Sequence, residues 1–344
     1  MATDRCGYVH NVDGISELGP ACCWRPVREG GDRCVWHTDQ GVKEEAYEEL
    51  QPSPGERLDG ATFHGASLSS VEWLTGCILV GGEFDGTILE KADLSDTDLR
   101  HATFRNVNAS GASFDGAKLQ DASFTFVDLR EASFSDARLY RLNLTDVRID
   151  RDTVFDETVW EEKEFTSDPT HPESAYTAAA WVYRELRYLF ENNAMEEQSR
   201  AYYVYEQDLR RRYTWTKGDY GRALYLEGSR WVMRYGTSPW RILATSAILI
   251  VVSAILYPLT GGIREVEGDQ TITYAIADPE TAPRGYQIRV FLKSLYFSVV
   301  TFSALGYGDI QPVGGTARLI AGIETLLGTL LMALLIFVLT RRLR

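Results

Sequence analysis

The chain lacks the basic charge needed to hold a nucleic acid on a broad face. It has 35 Lys and Arg against 49 Asp and Glu over 344 residues, a formal net charge of −14, so no nucleic-acid partner is expected. No apolar run opens it either. MATDRCGYVH carries Asp4 and Arg5 where a secretory signal needs a hydrophobic core, and no signal peptide is expected. Cysteine is scarce and unevenly placed: Cys6, Cys22, Cys23 and Cys34 fall within the first 34 residues, and Cys77 stands apart. Without a secretory route these are thiols or thiolate ligands rather than a disulfide framework. There is no Walker motif to support a pump. There is also no arginine series of the voltage-sensor kind, and no paired nucleophile and base to mark an enzyme.

What the chain does have is hydrophobic length. Residues 242–259, ILATSAILIVVSAILYPL, carry no charge, and residues 319–340, LIAGIETLLGTLLMALLIFVLT, carry only Glu324. At ~1.5 Å per residue each crosses a hydrocarbon core of ~30 Å, the first only just. Arg230, Arg234 and Arg241 precede the pair, and Arg341, Arg342 and Arg344 follow it. The loop 260–288 between them is mixed to acidic, with Glu265, Glu267, Asp269, Asp278 and Glu280. The bias of basic residues to the inner side predicts cytoplasmic termini and an external loop. The stretch from Trp215 to Trp240, rich in Tyr, Trp and Arg, reads as an interfacial helix.

Between the spans lies VFLKSLYFSVVTFS, residues 290–303, apolar but too short to cross, followed by ALGYGD, residues 304–309. With both ends inside, this segment re-enters from outside, and irregular backbone at membrane depth must line a water-filled path or be buried by protein. Two glycines one residue apart permit unusual φ values, so a strand here can turn successive carbonyls to one side. Four copies around an axis would make carbonyl rings that replace the hydration shell of a monovalent cation.

Residues 237–344 resemble a two-transmembrane potassium channel: outer helix, pore helix, GYGD filter, inner helix. Pro312, Arg318 and a mid-helix Gly328 fall where that family has its filter exit, inner-helix start and a common gating hinge. The resemblance implies a homotetramer in a lipid bilayer conducting K+. Ala304, Leu305, Gly306 and Tyr307 would supply coordinating carbonyls, Gly308 would shape the outer mouth and Asp309 would anchor the outer end. Tyr296 and Phe297 would be part of an aromatic cuff. Two departures stand out. Ala304 occupies the usual threonine position, so the innermost ion site lacks its hydroxyls and K+ over Na+ preference is left open. Val300 occupies a position where some relatives carry a carboxylate, leaving Asp309 to bond a nearby aromatic or backbone group. On the inner helix, Thr329, Met332, Ile336 and Thr340 recur at helical spacing as pore-lining candidates, with lipid contact or helix packing as the alternative. Glu324 reads as a hydrogen-bonded residue behind the pore helix rather than a pore-lining charge.

The N-terminal half has a period of five. Apolar residues fall at 58, 63, 68, 73 and 78. After one inserted residue they resume at 84, 89, 94, 99 and 104, and then run from 114 to 149 in fives, with Ala two positions earlier in most repeats. Five fits neither the helix nor the strand period; it fits a solenoid with five-residue faces. The pattern resembles the pentapeptide-repeat family, which implies a right-handed quadrilateral β-helix with four repeats per coil. About five coils at ~4.8 Å give a rod of ~25 Å. Cys77 reads as packed beside an inward position, and Ala109 leaves one corner thin. Some pentapeptide proteins mimic DNA with an acidic rod; a regulatory or interaction platform for an unidentified protein partner fits a tethered rod better.

Ahead of the rod, Cys6, Cys23, Cys34 and His37 form a candidate structural Zn2+ site, since tetrahedral zinc takes Cys and His and Cys34-x-x-His37 is ligand-like spacing. Cys22 in place of Cys23, and His10 as a fifth candidate, remain alternatives. Residues 172–235 read as a helical hairpin broken near ENN at 191, followed by the interfacial stretch. The expected organisation is therefore a multidomain membrane protein. It has a Cys/His cap (1–50), a pentapeptide β-helix (56–158), a helical linker with the interfacial helix (170–236) and a two-span pore domain (237–344). The expected function is passive, potassium-preferring cation conduction. The competing expectations are a membrane-anchored pentapeptide scaffold with a closed or vestigial pore, or a weakly selective cation channel.

Overall fold

The computed structural model describes residues 5–10, 21–27, 31–38, 51–167, 172–267, 270–276 and 283–342. Asp269, Asp278, Glu280 and Arg344 lie outside the described residues. The chain forms two compact units, Met1–Asp219 and Tyr220–Arg344.

In the first unit a short antiparallel pair, β1 (Val9–His10) with β2 (Ala21–Cys22), precedes a long coiled ladder. Its strands β3 (Glu83–Asp85), β4 (Thr103–Arg105), β5 (Ser123–Thr125) and β7 (Asn143–Thr145) pair in parallel, stacking Phe84, Phe104, Phe124 and Leu144 in register. The rungs of these four strands join residues 20 apart, so one coil there holds four five-residue segments. On a second face β6 (Ser133–Phe134) pairs with β8 (Val154–Phe155). Phenylalanines stack along the interior, Phe63 on Phe84 at 4.7 Å and Phe84 on Phe104 at 4.5 Å, while the alanines two positions earlier are buried beside them. The same period governs the backbone. Asp96, His101, Asn106, Asp121, Phe126 and Glu131, with Gly111 and Gly116, take positive φ at five-residue spacing, one per corner. Non-glycine residues adopt this conformation at a cost of about 1–2 kcal/mol, which the ladder offsets.

The inserted residue lies earlier than the apolar spacing suggests. Asp93 N–H donates to the Val71 carbonyl but Asp98 N–H to that of Cys77, so the extra residue falls between 71 and 77. Leu74 and Leu79 are therefore the inward residues, not Trp73 and Ile78. Trp73 instead turns its ring toward Trp36 of the cap, 5.8 Å away. Cys77 takes the small-residue position and is fully buried.

Both ends of the ladder are closed by side chains, which removes the hazard of exposed strand edges. At the start, Trp36 packs edge-on to Phe63 and its carbonyl accepts from Thr62 N–H at 2.9 Å. Gly60, at φ +70, is needed there because a Cβ would lie 2.3 Å from the Tyr8 hydroxyl. At the far end, helix α1 (Trp160–Ser167) places the buried Glu161 carboxylate where the next coil's carbonyls would be. It accepts from Leu139 N–H at 2.7 Å and Tyr140 N–H at 2.9 Å. Asn193 likewise accepts from Ile149 N–H and donates to the Val147 carbonyl. Glu161→Ala should orphan one buried and one half-buried donor and destabilise this unit by about 2–4 kcal/mol. The check is a lower denaturant midpoint, with the slope unchanged.

Helices α2 (Pro172–Asn192) and α3 (Glu196–Thr216) form the expected hairpin, turning through Ala194 at φ +58 and sharing one core with the ladder and cap. The second unit begins with α4 (Tyr220–Met233), the described helix of the interfacial stretch; Trp215 ends α3 and Trp240 opens the next helix.

That next helix is α5 (Pro239–Leu259). A hairpin, β9 (Ile263–Glu267) and β10 (Gln270–Tyr274), follows, then α6 (Arg284–Phe302), strand β11 (Ile310–Pro312) and α7 (Gly314–Arg342). Pro239–Leu259 and Gly314–Thr340 are long and apolar enough to cross a membrane, and only 28% and 22% of their apolar windows are buried, unlike soluble core helices. The described part of the loop between them forms a hairpin, and β9 pairs with both β10 and β11. Helix α6 starts six residues before the expected 290 because its first turns are polar and project toward the hairpin, where the Tyr286 hydroxyl reaches the Ala275 carbonyl at 3.2 Å.

Candidate functional site

The Ala304–Asp309 strand leaves α6 through two tight bonds, Ala304 N–H to the Thr301 carbonyl and Leu305 N–H to that of Val300, each 3.1 Å. Ala304, Gly306 and Gly308 sit at φ +55, +53 and +79, whereas the residues between them do not take positive φ. Alternating left- and right-handed residues turn successive carbonyls to the same side of an extended chain. The strand stands open: Leu305 is 57% and Tyr307 67% exposed.

The outer end is pinned twice. The Asp309 carboxylate accepts from the Tyr296 hydroxyl at 2.9 Å, an aromatic partner of the kind expected with valine at 300. Its carbonyl accepts from Val266 N–H at 3.0 Å, and Ile310 pairs with Glu265. Glu265 in turn accepts from Lys293 Nζ at 2.5 Å and the Tyr274 hydroxyl at 2.9 Å. The Lys293 ammonium holds the Glu265 carboxyl below its ordinary value, helped by Tyr274 and opposed by partial burial. A depressed carboxylate pKa stabilises the fold above the unfolded value and stops doing so only as pH falls through the folded one. Acidification from pH 7.5 to 6 should therefore leave the clamp intact, whereas Glu265→Gln should loosen it. Amide exchange at Val266 is the readout, unchanged in the first case and faster in the second.

The inner end rests on α7. Glu324 is 1% exposed and accepts from the Tyr257 hydroxyl of α5 and the Ser298 hydroxyl of α6. Thr325 donates to the Thr301 carbonyl at 3.3 Å. Gly328 lies against the end of α6, where a Cβ would meet the Phe302 carbonyl oxygen at 2.3 Å. Helix α7 runs unbroken through Gly328. Phe297 packs on Tyr257 at 4.8 Å. Thr329, Met332, Ile336 and Thr340 all lie on the exposed side of α7, away from the buried stripe of Glu324, Gly328, Leu331 and Val338. The two threonine hydroxyls donate to carbonyls of their own helix. Hydrogen bonding of Glu324 behind the pore helix was expected from a lone carboxylate in an apolar run, but its partners Tyr257 and Ser298 were not, and nothing in the sequence signalled the hairpin clamp.

In the first unit Cys6, Cys23, Cys34 and His37 converge, all buried, with ligand atoms within 4.8 Å of one another. Cys23 Sγ and Cys34 Sγ are 3.6 Å apart, Cys34 Sγ and His37 Nδ1 3.2 Å, and Cys6 Sγ and His37 Nδ1 3.7 Å. A tetrahedral ion with ligands at ~2.0–2.3 Å needs donor separations of roughly 3.3–3.8 Å, so the donors fit a metal. His37 Nε2 faces the Asp59 carbonyl at 3.0 Å, fixing the tautomer that leaves Nδ1 free to ligate. Burial pushes the Cys34 thiol up to about 12 and keeps His37 below the ordinary imidazole value. Cys22 is exposed, and His10 lies outside the cluster, 3.3 Å from the Tyr8 hydroxyl.

Comparison with known families matches residues 263–344 to a profile described as "Ion channel" and residues 77–154 to one described as "Pentapeptide repeat region". The chain joins an ion-channel domain to a pentapeptide-repeat region. The channel match begins at the hairpin and takes in α6, the open strand and α7. With two apolar helices, this places the chain at a membrane, where channel domains of this kind work as oligomers. Neither family is enzymatic in kind. Among solved structures the pentapeptide rod is similar to a pentapeptide repeat protein, Rfr23, from the cyanobacterium Cyanothece 51142, with 23% identity over 30% of this chain and 84% of that one, TM-score 0.26. It is also similar to a pentapeptide repeat protein of the Arabidopsis thaliana thylakoid lumen, with 25% identity over 30% of this chain and 74% of that one, TM-score 0.24. A third, from Nostoc Pcc 7120, shares 26% identity over 32% of this chain and 79% of that one, TM-score 0.15. The comparison with curated proteins gave no match.

Proposed function

We propose that the protein is a homotetrameric, potassium-preferring cation channel that conducts passively and carries a cytosolic pentapeptide rod as its regulatory or interaction platform. The observation that supports this most is the strand of alternating handedness, Ala304 to Gly308, left uncovered on one subunit between two membrane-length helices. Four such strands facing one axis present rings of carbonyls from Ala304, Leu305, Gly306 and Tyr307, with Gly308 and Asp309 at the outer mouth. Thr329, Met332, Ile336 and Thr340 then line the inner cavity, and bending at Gly328 opens it. Both termini are cytoplasmic. The rod is a right-handed quadrilateral β-helix, and Cys6, Cys23, Cys34 and His37 hold a structural Zn2+ that ties the cap over its first coil.

The test is the reversal potential in planar bilayers with K+ on one side and Na+ on the other. A potential near the potassium limit supports the reading. A potential near zero retains a channel but makes it weakly selective, the outcome favoured by the missing hydroxyl at Ala304. No current from a protein that is still tetrameric favours the membrane-anchored scaffold.

A further inference from the structure

A carboxylate in a membrane-spanning helix is costly unless its oxygens are filled. Those of Glu324 are filled from both neighbouring helices. Tyr257 of α5 donates to Oε2 and Ser298 of α6 to Oε1, the latter hydroxyl shared with the Ile250 carbonyl at 2.9 Å. One side chain of α7 thus ties the outer helix to the re-entrant one. Ser298 stands six positions before Ala304. On the next turn of α7, Gly328 packs against the Phe302 carbonyl, and the Thr325 hydroxyl, bonded to the Ala321 carbonyl of its own helix at 2.9 Å, also reaches the Thr301 carbonyl at 3.3 Å. The last turns of α6 are therefore fixed at three successive points, and the strand hangs from them through the bonds to Val300 and Thr301.

This attachment matters more here than in a filter that begins with threonine. Ala304 offers no hydroxyl, so the innermost carbonyls depend for their spacing on where α6 ends. We propose that Glu324 is a positioning residue for the filter: by locking the last turns of α6 to α5 and α7 it sets the spacing of the inner carbonyls, and with it the preference for K+ over Na+. The inference rests on the channel reading and names what regulates selectivity within it.

The experiment uses the purified full-length protein and K+ itself as the probe. Its melting temperature is followed as K+ replaces Na+ at constant ionic strength, and permeability ratios are taken from bilayer currents. Wild type should gain stability with K+. Glu324→Gln, Tyr257→Phe and Ser298→Ala should each raise the half-saturating K+ at least about fivefold and lower the K+/Na+ permeability ratio at least about threefold. Tyr257→Phe and Ser298→Ala together should do no more than Glu324→Gln, because all three break one network. A lower melting temperature with both the half-saturating K+ and the permeability ratio unchanged would mean that Glu324 only stabilises the bundle, and overturns the proposal. If Glu324→Gln does not fold, the near-isosteric Tyr257→Phe and Ser298→Ala decide the matter alone. Wild type with neither K+ protection nor current would instead overturn the channel reading beneath it.

Discussion

Gly328→Ala is expected to silence ion flux and to cost the second unit about 1–3 kcal/mol, the usual penalty for forcing an extra carbon into close packing. The added methyl would sit 2.3 Å from the Phe302 carbonyl oxygen and 3.0 Å from its carbonyl carbon. These are backbone atoms at the end of α6 and cannot swing aside as a side chain would. Helix α7 must back away, and Glu324 and Thr325 lose their hold on Ser298 and Thr301 as it does. Gly322, on the same helix, is the control. A Cβ there meets nothing within 4 Å, and alanine should stabilise the helix by up to about 1 kcal/mol. Melting temperature and flux measured on both variants check this. A Gly328→Ala protein that melts like wild type and changes only its open probability would assign the glycine to bending alone.

Loss of the Cys/His cluster should have the larger effect on folding. Cys34→Ser removes a proposed ligand whose sulfur lies 3.6 Å from Cys23 Sγ and 3.2 Å from His37 Nδ1. Structural zinc sites supply on the order of 10 kcal/mol to the small domains they hold. The cap is small, and the cluster buries three of its cysteines and His37 at one point. Without the site Trp36 and Tyr8 should release the first coil, so the damage spreads into the rod. Expected results are one zinc per chain by elemental analysis of the native protein, none in Cys34→Ser, and early proteolysis near Leu58 in the variant. Cys22→Ser should be silent, since that thiol is exposed. A metal-free wild type with a protease-resistant cap would contradict the assignment of zinc.

How much of this was legible depended on whether the determining contacts were local. The five-residue period shows itself because each coil face repeats the same small-then-large choice, so the spacing of Phe84, Phe104 and Phe124 alone announces their stack. The position of the inserted residue did not, because Trp73 and Ile78 are as apolar as Leu74 and Leu79, and only the hydrogen-bond register separates them. Cys23 was named with Cys22 as its alternative, and burial, which adjacent cysteines cannot reveal, separates them: Cys23 is buried and Cys22 exposed. The GYGD segment and its flanking spans were legible by length and spacing. Their supports were not: the pairing of β9 with β11 joins distant segments of unremarkable composition. Glu324 stood out as an isolated charge, but nothing in the sequence named Tyr257 and Ser298 as its partners. Side chains that close the ladder, Glu161 and Asn193, look like ordinary polar residues until the carbonyl row they replace is seen.

The central claim, that the strand from Ala304 to Asp309 is an ion path, is tested most directly by potassium flux into liposomes containing the purified full-length protein. Sodium serves as the comparison and barium, a divalent ion of similar size to K+, as the blocker. The account predicts barium-sensitive uptake that favours potassium. Liposomes containing intact tetramers that take up neither ion, before and after removal of residues 1–170, would contradict it.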